Sequence, residues 1–163
     1  MIVLFVGDSG VGKSTIVSKV STSLENVNLV KSYTTRPKRD ESDDDHTFID
    51  SVDEIDDNVV ASTMINGHFY GASEKQFKKD MVNLYIVDDK GVVDVKKFFS
   101  DELIITIHIN RDYDNVMIPK VRKNRMIEKM GLEYDEEIDN NSSIDNTVKE
   151  VIRCIRKYQK MNY

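Results

Sequence analysis

Apolar runs of strand length alternate with amphipathic stretches along the chain, and this pattern predicts an α/β fold. Residues 2–6, Ile-Val-Leu-Phe-Val, are apolar throughout, and so are most positions in 84–88 and 103–109. Continuous apolar character at this length indicates strands that are buried on both faces of a parallel sheet. Helical spacing of apolar residues predicts helices over 13–24 and 92–99. We therefore expect a central parallel sheet with helices on both faces, in three layers.

The middle of the chain follows a different pattern. Residues 32–50 are polar and rich in acids, which indicates a loop with a strand only near its end. Residues 51–54, Ser-Val-Asp-Glu, have capping-box spacing and predict a short helix. Residues 59–73 predict a β-hairpin that turns at Asn66-Gly67. A further helix is expected over 73–81.

The last part of the chain is first basic and then amphipathic. Residues 111–130 are basic and helix-prone, and Pro119 interrupts them. Apolar residues at helical spacing then predict an amphipathic C-terminal helix, and these are Ile144, Val148, Val151, Ile152 and Ile155.

The composition changes this picture little and excludes some classes of function. The 163 residues, 39% hydrophobic and 32% charged, fit one globular domain. No apolar run approaches the roughly 18 residues of a membrane span, and the N-terminus lacks the features of a signal peptide. The formal net charge of −6 argues against a broad nucleic-acid surface. With Cys154 as the single cysteine, we expect a cytoplasmic protein with neither membrane nor nucleic-acid partners.

Residues 7–15, Gly-Asp-Ser-Gly-Val-Gly-Lys-Ser-Thr, match the phosphate-binding pattern G-x-x-x-x-G-K-[ST] between a predicted strand and a predicted helix. The glycines let backbone N–H groups turn toward an anion, and the helix N-terminus adds positive charge. Lys13 would contact the β- and γ-phosphates, and the Ser14 hydroxyl would bind Mg²⁺. The candidate ATP-binding residues are Gly7, Asp8, Ser9, Gly10, Val11, Gly12, Lys13, Ser14 and Thr15.

Asp88 is a second candidate metal ligand, beside Ser14. It stands at the carboxyl end of the predicted strand 84–88, where an open α/β sheet places ligand-facing groups. Mg²⁺ usually keeps only one or two carboxylate contacts. Asp89 could replace Asp88 in this role, or both acids could simply end the strand. The expected cofactors are ATP and Mg²⁺.

Arg36 and Arg39 form a candidate acceptor site. They lie three positions apart in a loop of small hydroxyl residues, Ser-Tyr-Thr-Thr-Arg-Pro-Lys-Arg. Two guanidinium groups at that spacing can grip one phosphate dianion. From these residues alone, two solvated loop arginines remain the alternative.

The chain resembles the guanylate kinase family in the motifs that follow the phosphate-binding loop. These are Ser-Tyr-Thr-Thr-Arg-Pro-Lys-Arg-Asp-Glu (32–41), His-Thr-Phe (46–48), Gly-His-Phe-Tyr-Gly-Ala-Ser (67–73) and Ile-Val-Asp-Asp-Lys-Gly-Val (86–92). Their order and approximate spacing hold from residue 1 to about residue 99, and 137–152 resembles the closing strand end and last helix of the family. The resemblance implies a P-loop kinase fold with a small β-rich acceptor-binding insertion and a short helical lid.

The resemblance also implies the roles of individual residues. Ser32, Arg36, Arg39 and Tyr70 fall on family positions that hold the acceptor nucleotide, and Glu41 is a looser match. His46 falls where the family has a phosphate-binding tyrosine; an imidazole there can still donate a hydrogen bond, more strongly when protonated. His68 and His108 are interpreted as structural.

The same resemblance divides the single expected domain, 1–163, into regions. The core would comprise 1–31, 82–110 and 134–163, with an acceptor-binding region over 32–81 and a lid over about 111–130. Within the basic lid segment, Arg122 and Arg125 are candidates for stabilising charge in the transition state, and Arg111 is a weaker third.

Two alanines set this chain apart from the family. Ala61 stands where the family has a glutamate that accepts hydrogen bonds from guanine, and Ala72 where it has a serine beside the base. The resemblance therefore implies an acceptor site with relaxed or altered base choice.

Together, these features predict an ATP- and Mg²⁺-dependent nucleoside monophosphate kinase that acts on small nucleotides as a monomer or a homodimer. One alternative is a kinase of a phosphorylated sugar on the same framework. A second is a non-catalytic guanylate-kinase-like binding module, against which the intact Lys13 and Ser14 argue. A third is a regulatory GTPase, because Asp-Asp-Lys-Gly at 88–91 fits the short Asp-x-x-Gly pattern, although no Asn-Lys-x-Asp motif is present.

Overall fold

A computed structural model describes residues 1–112 and 130–161 of the chain. The central sheet has five strands, which are β1 (Ile2–Val6), β2 (Val27–Val30), β7 (Val82–Ile86), β8 (Ile104–Asn110) and β9 (Glu136–Asp139). They are all parallel and lie in the order β2-β7-β1-β8-β9. The α-helices of the described residues are α1 (Lys13–Ser23), α2 (Asp89–Phe98) and α3 (Ile144–Met161). The predicted α/β architecture is confirmed.

Strand β1 explains why the sheet is covered on both faces. All five of its residues are buried, and successive side chains point to opposite faces. Val3 and Phe5 belong to the apolar core that includes α1 and α3. Ile2 and Leu4 belong to a second core with Val92 of α2 and with the strands described next. Because both faces are buried, a continuous apolar run is the expected sequence signal.

A second, smaller sheet is built from residues 33–73. It contains β3 (Tyr33–Thr34), β4 (Thr47–Phe48), β5 (Val59–Ile65) and β6 (His68–Ser73) in the order β4-β3-β6-β5. Strands β5 and β6 form the predicted hairpin. Asn66 and Gly67 both have positive φ, 52° and 78°, which is the backbone that a tight two-residue hairpin turn requires.

The short helix predicted at 51–54 is confirmed as a 3₁₀ turn over Val52–Glu54 with its capping box. The helix predicted over 73–81 is wrong, because helical structure there is limited to Glu74–Gln76. The Asn83 side chain explains the early stop. It accepts a hydrogen bond from the Lys78 backbone N at 2.8 Å and donates to the Lys78 carbonyl at 2.9 Å. Those backbone groups are thereby engaged outside any helix.

Within 1–112 and 130–161, no helix combines the length and apolar character that crossing a membrane demands. The division into core, acceptor-binding region and lid stays a prediction. Arg122 and Arg125 lie outside the described residues.

Candidate functional site

An open cleft of about 1520 Å³ lies at the carboxyl ends of the central strands. It is lined by the loop after β1, by the ends of β7 and β8, and by the inner face of the β5–β6 hairpin. This edge of an open α/β sheet is where ligands bind. The volume exceeds the roughly 300–1,000 Å³ of a typical small-molecule pocket, so the cleft is larger than one small ligand requires.

The loop after β1 has the geometry of a phosphate-binding loop. Gly7, Gly10 and Gly12 have φ of 146°, 91° and 99°, values that side chains other than glycine rarely allow. A Cβ on Gly7 would also collide with the carbonyl oxygen of Ile109 in β8. The Lys13 Nζ folds back and donates to the carbonyls of Gly7 at 2.6 Å and Asp8 at 2.8 Å. The lysine thus lies across the loop at the start of α1.

Eight of the nine predicted ATP-binding residues line the cleft, namely Gly7, Asp8, Ser9, Gly10, Gly12, Lys13, Ser14 and Thr15. The ninth, Val11, places its side chain in the core beside α1 and α3 instead. Its carbonyl accepts a hydrogen bond from the side chain of Asn140 at 2.8 Å. The loop is therefore anchored from beneath.

Asn140 is a positioning residue that sequence reasoning missed. It is buried just after β9, where its backbone N donates to the Asn110 carbonyl at 2.7 Å. Its Oδ1 accepts from the Thr147 hydroxyl of α3 at 2.8 Å. One amide side chain thus joins β9, α3 and the phosphate-binding loop. The sequence carried no signal for it, because the short, acidic β9 has no apolar run that would mark Asn140 as following a strand.

Asp88 lies at the cleft with Ser14. Its Oδ1 accepts the backbone N–H of Gly91 at 2.8 Å, so Asp88 is the N-cap of α2. The cap fixes the carboxylate at the end of β7 and engages one of its two oxygens. No group of three or more His, Cys, Asp or Glu residues that could hold a metal occurs in the described ranges. The donors suit an ion such as Mg²⁺, which needs few protein ligands.

The threonines of the 32–39 segment fix it to the hairpin. The Thr34 hydroxyl donates to the Phe69 carbonyl at 2.8 Å and accepts from the Arg36 backbone N at 3.1 Å. The Thr35 hydroxyl accepts from the Phe69 backbone N at 3.0 Å. These bonds fix the backbone directly before the arginine loop, which is the loop that contains Arg36 and Arg39.

The two arginines of that loop have different surroundings. Arg39 is exposed and lines the cleft. Arg36 does not line the cleft and pairs with Asp43, at 2.8 Å between Nη1 and Oδ2. Glu41, the acid expected to belong to the site, is exposed and does not line the cleft. Asp43 is the carboxylate that joins the arginines, and sequence reasoning did not single it out.

Ser32, His46 and Tyr70, which the resemblance assigns to the acceptor, line the cleft. The His46 and Tyr70 rings meet edge to face with centroids 5.4 Å apart. Burial, followed by the charge of Arg36, lowers the pKa of His46, so its imidazole is neutral near pH 7. The Ser32 hydroxyl lies 3.1 Å from that of Tyr85, whose pKa burial raises to about 12. This part of the cleft therefore offers neutral hydroxyl and imidazole groups as well as the guanidinium of Arg39.

The Arg36–Asp43 pair predicts a pH dependence of stability. The hydrogen bond from Arg36 holds the pKa of Asp43 at about 2, below the ordinary 3.8. A lowered pKa stabilises the fold above the unfolded-state pKa, and the contribution is lost as the pH falls through the folded-state value. We expect Asp43→Asn to lower the Tm by a constant amount above about pH 5, and by progressively less toward about pH 2. Thermal unfolding across that range checks this, and a difference that grows on acidification would contradict it.

Ala61 and Ala72 face each other across the hairpin. Both are buried, with 3% and 0% exposure. Ala61 lines the cleft together with Thr63, Ile65 and Tyr70 of the same hairpin. Where the resemblance implies a glutamate, the cleft is thus lined by the methyl group of Ala61. Where it implies a serine, Ala72 is buried in the second core and does not line the cleft.

The opposite wall of the cleft contains groups that the sequence did not reveal. His108, interpreted as structural, lines the cleft and stacks on Tyr134, with ring centroids 4.5 Å apart and an interplanar angle of 15°. The Tyr134 hydroxyl donates to the buried Asp89 at 2.6 Å. Asp89 is thus occupied by a tyrosine rather than available as a replacement for Asp88. Arg111 also lines this wall.

Comparison with known proteins identifies several relatives of one kind. A guanylate kinase of Paraburkholderia xenovorans is 33% identical over 114 residues, covering 64% of this chain and 51% of that protein. Guanylate kinases of Helicobacter hepaticus and Thermotoga maritima are each 32% identical, over 61% and 64% of this chain and 55% and 56% of their own lengths. The chain thus spans about half the length of the curated relatives it matches.

The fold has a counterpart among solved structures. A crystal structure of guanylate kinase from Anaplasma phagocytophilum superposes with a TM-score of 0.69, covering 98% of this chain and 86% of that one at 20% sequence identity. No protein-family model matches the chain.

Proposed function

We propose that this chain is a nucleoside monophosphate kinase of the guanylate kinase family, because it is similar in sequence to several guanylate kinases and shares the fold of one. It transfers the γ-phosphoryl group of ATP to a nucleoside monophosphate and releases ADP and the nucleoside diphosphate. One observation carries the proposal. A single cleft is lined at one side by the phosphate-binding loop and at the other by Arg39, His46 and Tyr70. A phosphate donor and a phosphate-bearing acceptor can therefore bind in the same cleft.

On the donor side, the residues of the phosphate-binding loop bind and orient the triphosphate of ATP. Lys13 exchanges its contacts with the Gly7 and Asp8 carbonyls for the β- and γ-phosphates, and the N-terminus of α1 adds its positive end. The Ser14 hydroxyl and the second oxygen of Asp88 would hold Mg²⁺, which neutralises charge on the β- and γ-phosphates. Little covalent work is asked of the protein, since alignment and electrostatic stabilisation carry most of this reaction.

On the acceptor side, Arg39 supplies the exposed guanidinium for the monophosphate, and Tyr70 and the neutral His46 supply hydrogen bonds. Ser32 contacts the acceptor nucleotide from the hydroxyl pair that it forms with Tyr85. Arg36, which interacts with Tyr70 but does not line the cleft, contributes positive charge to the monophosphate site. Arg111, which lines the cleft, stabilises the charge of the transferred group, and we assign the same role to Arg122 and Arg125 beyond the described residues.

We expect the base choice to be relaxed or altered relative to a strict guanylate kinase. A methyl group cannot accept hydrogen bonds from the guanine N1–H and amino group, and an unpaired buried polar group costs about 1–3 kcal/mol. The methyl group of Ala61 lines the cleft, and its cross-strand neighbour Ala72 is also a methyl group, although fully buried. The acceptors should therefore include nucleotides other than GMP, deoxynucleotides among them. Selectivity for GMP and dGMP by about three orders of magnitude in kcat/KM over all other bases would show this wrong.

A coupled ADP-release assay across the ribo- and deoxynucleoside monophosphates tests the proposed function. We expect ADP release in the presence of Mg²⁺ that depends on at least one monophosphate. Release of ADP at the same rate without any acceptor would indicate a nucleotide triphosphatase instead. Activity only with a phosphorylated sugar would show that the acceptor is not a nucleotide, while the assignment of the ATP site would stand.

A further inference from the structure

We propose that Asp43 is a positioning residue of the acceptor site, which fixes the guanidinium of Arg36 and the backbone of Arg39 with one carboxylate. This inference rests on the proposed function, because it assigns the reason why the arginine loop is ready to receive a phosphate. Neither the phosphate-binding motif nor the arginine spacing pointed to this acid.

The hydrogen bonds of Asp43 reach both arginines. Arg36 donates to the two carboxylate oxygens, at 2.8 Å from Nη1 and 3.4 Å from Nη2. The Arg39 backbone N donates to Oδ2 at 3.0 Å. The loop between the arginines is further closed by Arg36 Nη1, which donates to the Pro37 carbonyl at 2.8 Å. The carboxylate is thus the common anchor of two residues that stand three apart.

Burial makes this anchor rigid. The side chains of Arg36 and Asp43 are only 10% and 5% exposed. One face of the Arg36 guanidinium lies over the Phe48 ring, 5.2 Å from its centroid. A buried charge that loses its partner is strongly destabilised, so Asp43 and Arg36 keep each other in place.

The anchored arginine also interacts with a residue of the cleft wall. Burial by itself would lower the pKa of Arg36, but the hydrogen bonds and charge of Asp43, with smaller contributions from Tyr70, raise it. Arg36 therefore lies close to Tyr70, which lines the cleft. Its Nε is buried and has no hydrogen-bond partner within the described residues. Asp43 thus binds Arg36, which in turn interacts with Tyr70. Asp43 also binds the Arg39 backbone, from which the exposed Arg39 side chain extends.

An opposite role for Asp43 would be that of an internal anion that competes with the acceptor phosphate. The bond to the Arg39 backbone favours positioning, since a competing carboxylate would have to leave both arginines when substrate binds. The two roles predict opposite effects of removing Asp43 on the affinity for the acceptor. Removing a competitor tightens acceptor binding, whereas removing an anchor weakens it.

The test compares Asp43→Asn with Asp44→Asn, which makes the same change one position along on an exposed residue. We expect Asp43→Asn to raise the acceptor KM about tenfold, the scale of one charge-assisted hydrogen bond, while kcat and the KM for ATP stay within about twofold. Asp44→Asn should leave all three constants unchanged. An unchanged or lowered acceptor KM in Asp43→Asn would overturn the proposal, and so would an equal rise in the KM for ATP.

Two further measurements keep the result decisive. If Asp43→Asn does not fold, Asp43→Glu retains the charge on a longer stem, and the same selective rise in acceptor KM is expected; no rise would overturn the proposal.

The Kd of GMP and dTMP, measured by calorimetry, separates this proposal from the proposed function. Binding without turnover would refute the kinase, while the Kd ratio of variant to wild type would still decide the role of Asp43. If the wild type binds no monophosphate, both proposals are wrong.

Discussion

Replacing Lys13 with alanine is expected to reduce kcat for phosphoryl transfer by at least about 100-fold, the scale of losing one electrostatic contact to the transition state. Lys13 lines the cleft at the start of α1, and its ammonium group contributes charge rather than core packing. Its present contacts are to the Gly7 and Asp8 carbonyls, so the loop loses two hydrogen bonds at a half-exposed position. We expect the fold to survive that loss.

The control for Lys13→Ala is Lys97→Ala, which removes the same charge from an exposed position on α2. Steady-state ADP release reports the turnover of both variants, and thermal unfolding reports whether they fold. Lys97→Ala should match the wild type. If Lys13→Ala is folded and releases ADP at the wild-type rate, the assignment of residues 7–15 as the ATP site fails.

The second large effect is expected at Arg39. Its guanidinium is exposed and lines the cleft, and a lost charge-assisted contact to phosphate costs roughly 1.5–3 kcal/mol, or about 10- to 150-fold. Arg39→Ala should therefore raise the acceptor KM and lower kcat/KM by that factor, with ATP binding little changed. The neighbouring Lys38→Ala serves as control, because Lys38 is exposed and does not line the cleft.

Arg36→Ala should also raise the acceptor KM, but with a loss of stability that Arg39→Ala does not share. Removing Arg36 leaves the nearly buried Asp43 carboxylate without its main partner, and breaking a buried pair is costly. Initial rates at varied acceptor and varied ATP separate the two sites. If both variants lose affinity for ATP and keep affinity for the acceptor, the donor and acceptor sites have been exchanged.

The core of the fold was predictable because its signals are local. Strands such as β1 and β8 are buried on both faces, so their sequences are continuously apolar. The phosphate-binding loop requires glycines at fixed offsets, and Gly7 shows why, since both its φ and the Ile109 carbonyl exclude a side chain. The hairpin turn needs two positive φ angles, which Asn66-Gly67 supplies.

The features that were not predicted depend on contacts between distant residues. Strand β9 is only four residues long and three of the four are acidic, so it has no apolar run. The helix expected over 73–81 ends early because Asn83 engages the backbone at Lys78. In the acidic loop that follows Arg39, the sequence alone does not distinguish the acid that turns inward. The path of the loop makes it Asp43 rather than Glu41.

The central claim about the cleft is that a phosphoryl group passes in it from ATP to a nucleoside monophosphate. The most direct measurement follows the label of γ-³²P-ATP incubated with the protein, Mg²⁺ and each ribo- and deoxynucleoside monophosphate, with the products separated by chromatography. The account predicts that the label appears in the β-phosphate of a nucleoside diphosphate, and that Lys13→Ala slows its appearance by at least about 100-fold. Label released only as inorganic phosphate, or label that never leaves ATP with any acceptor, would contradict it.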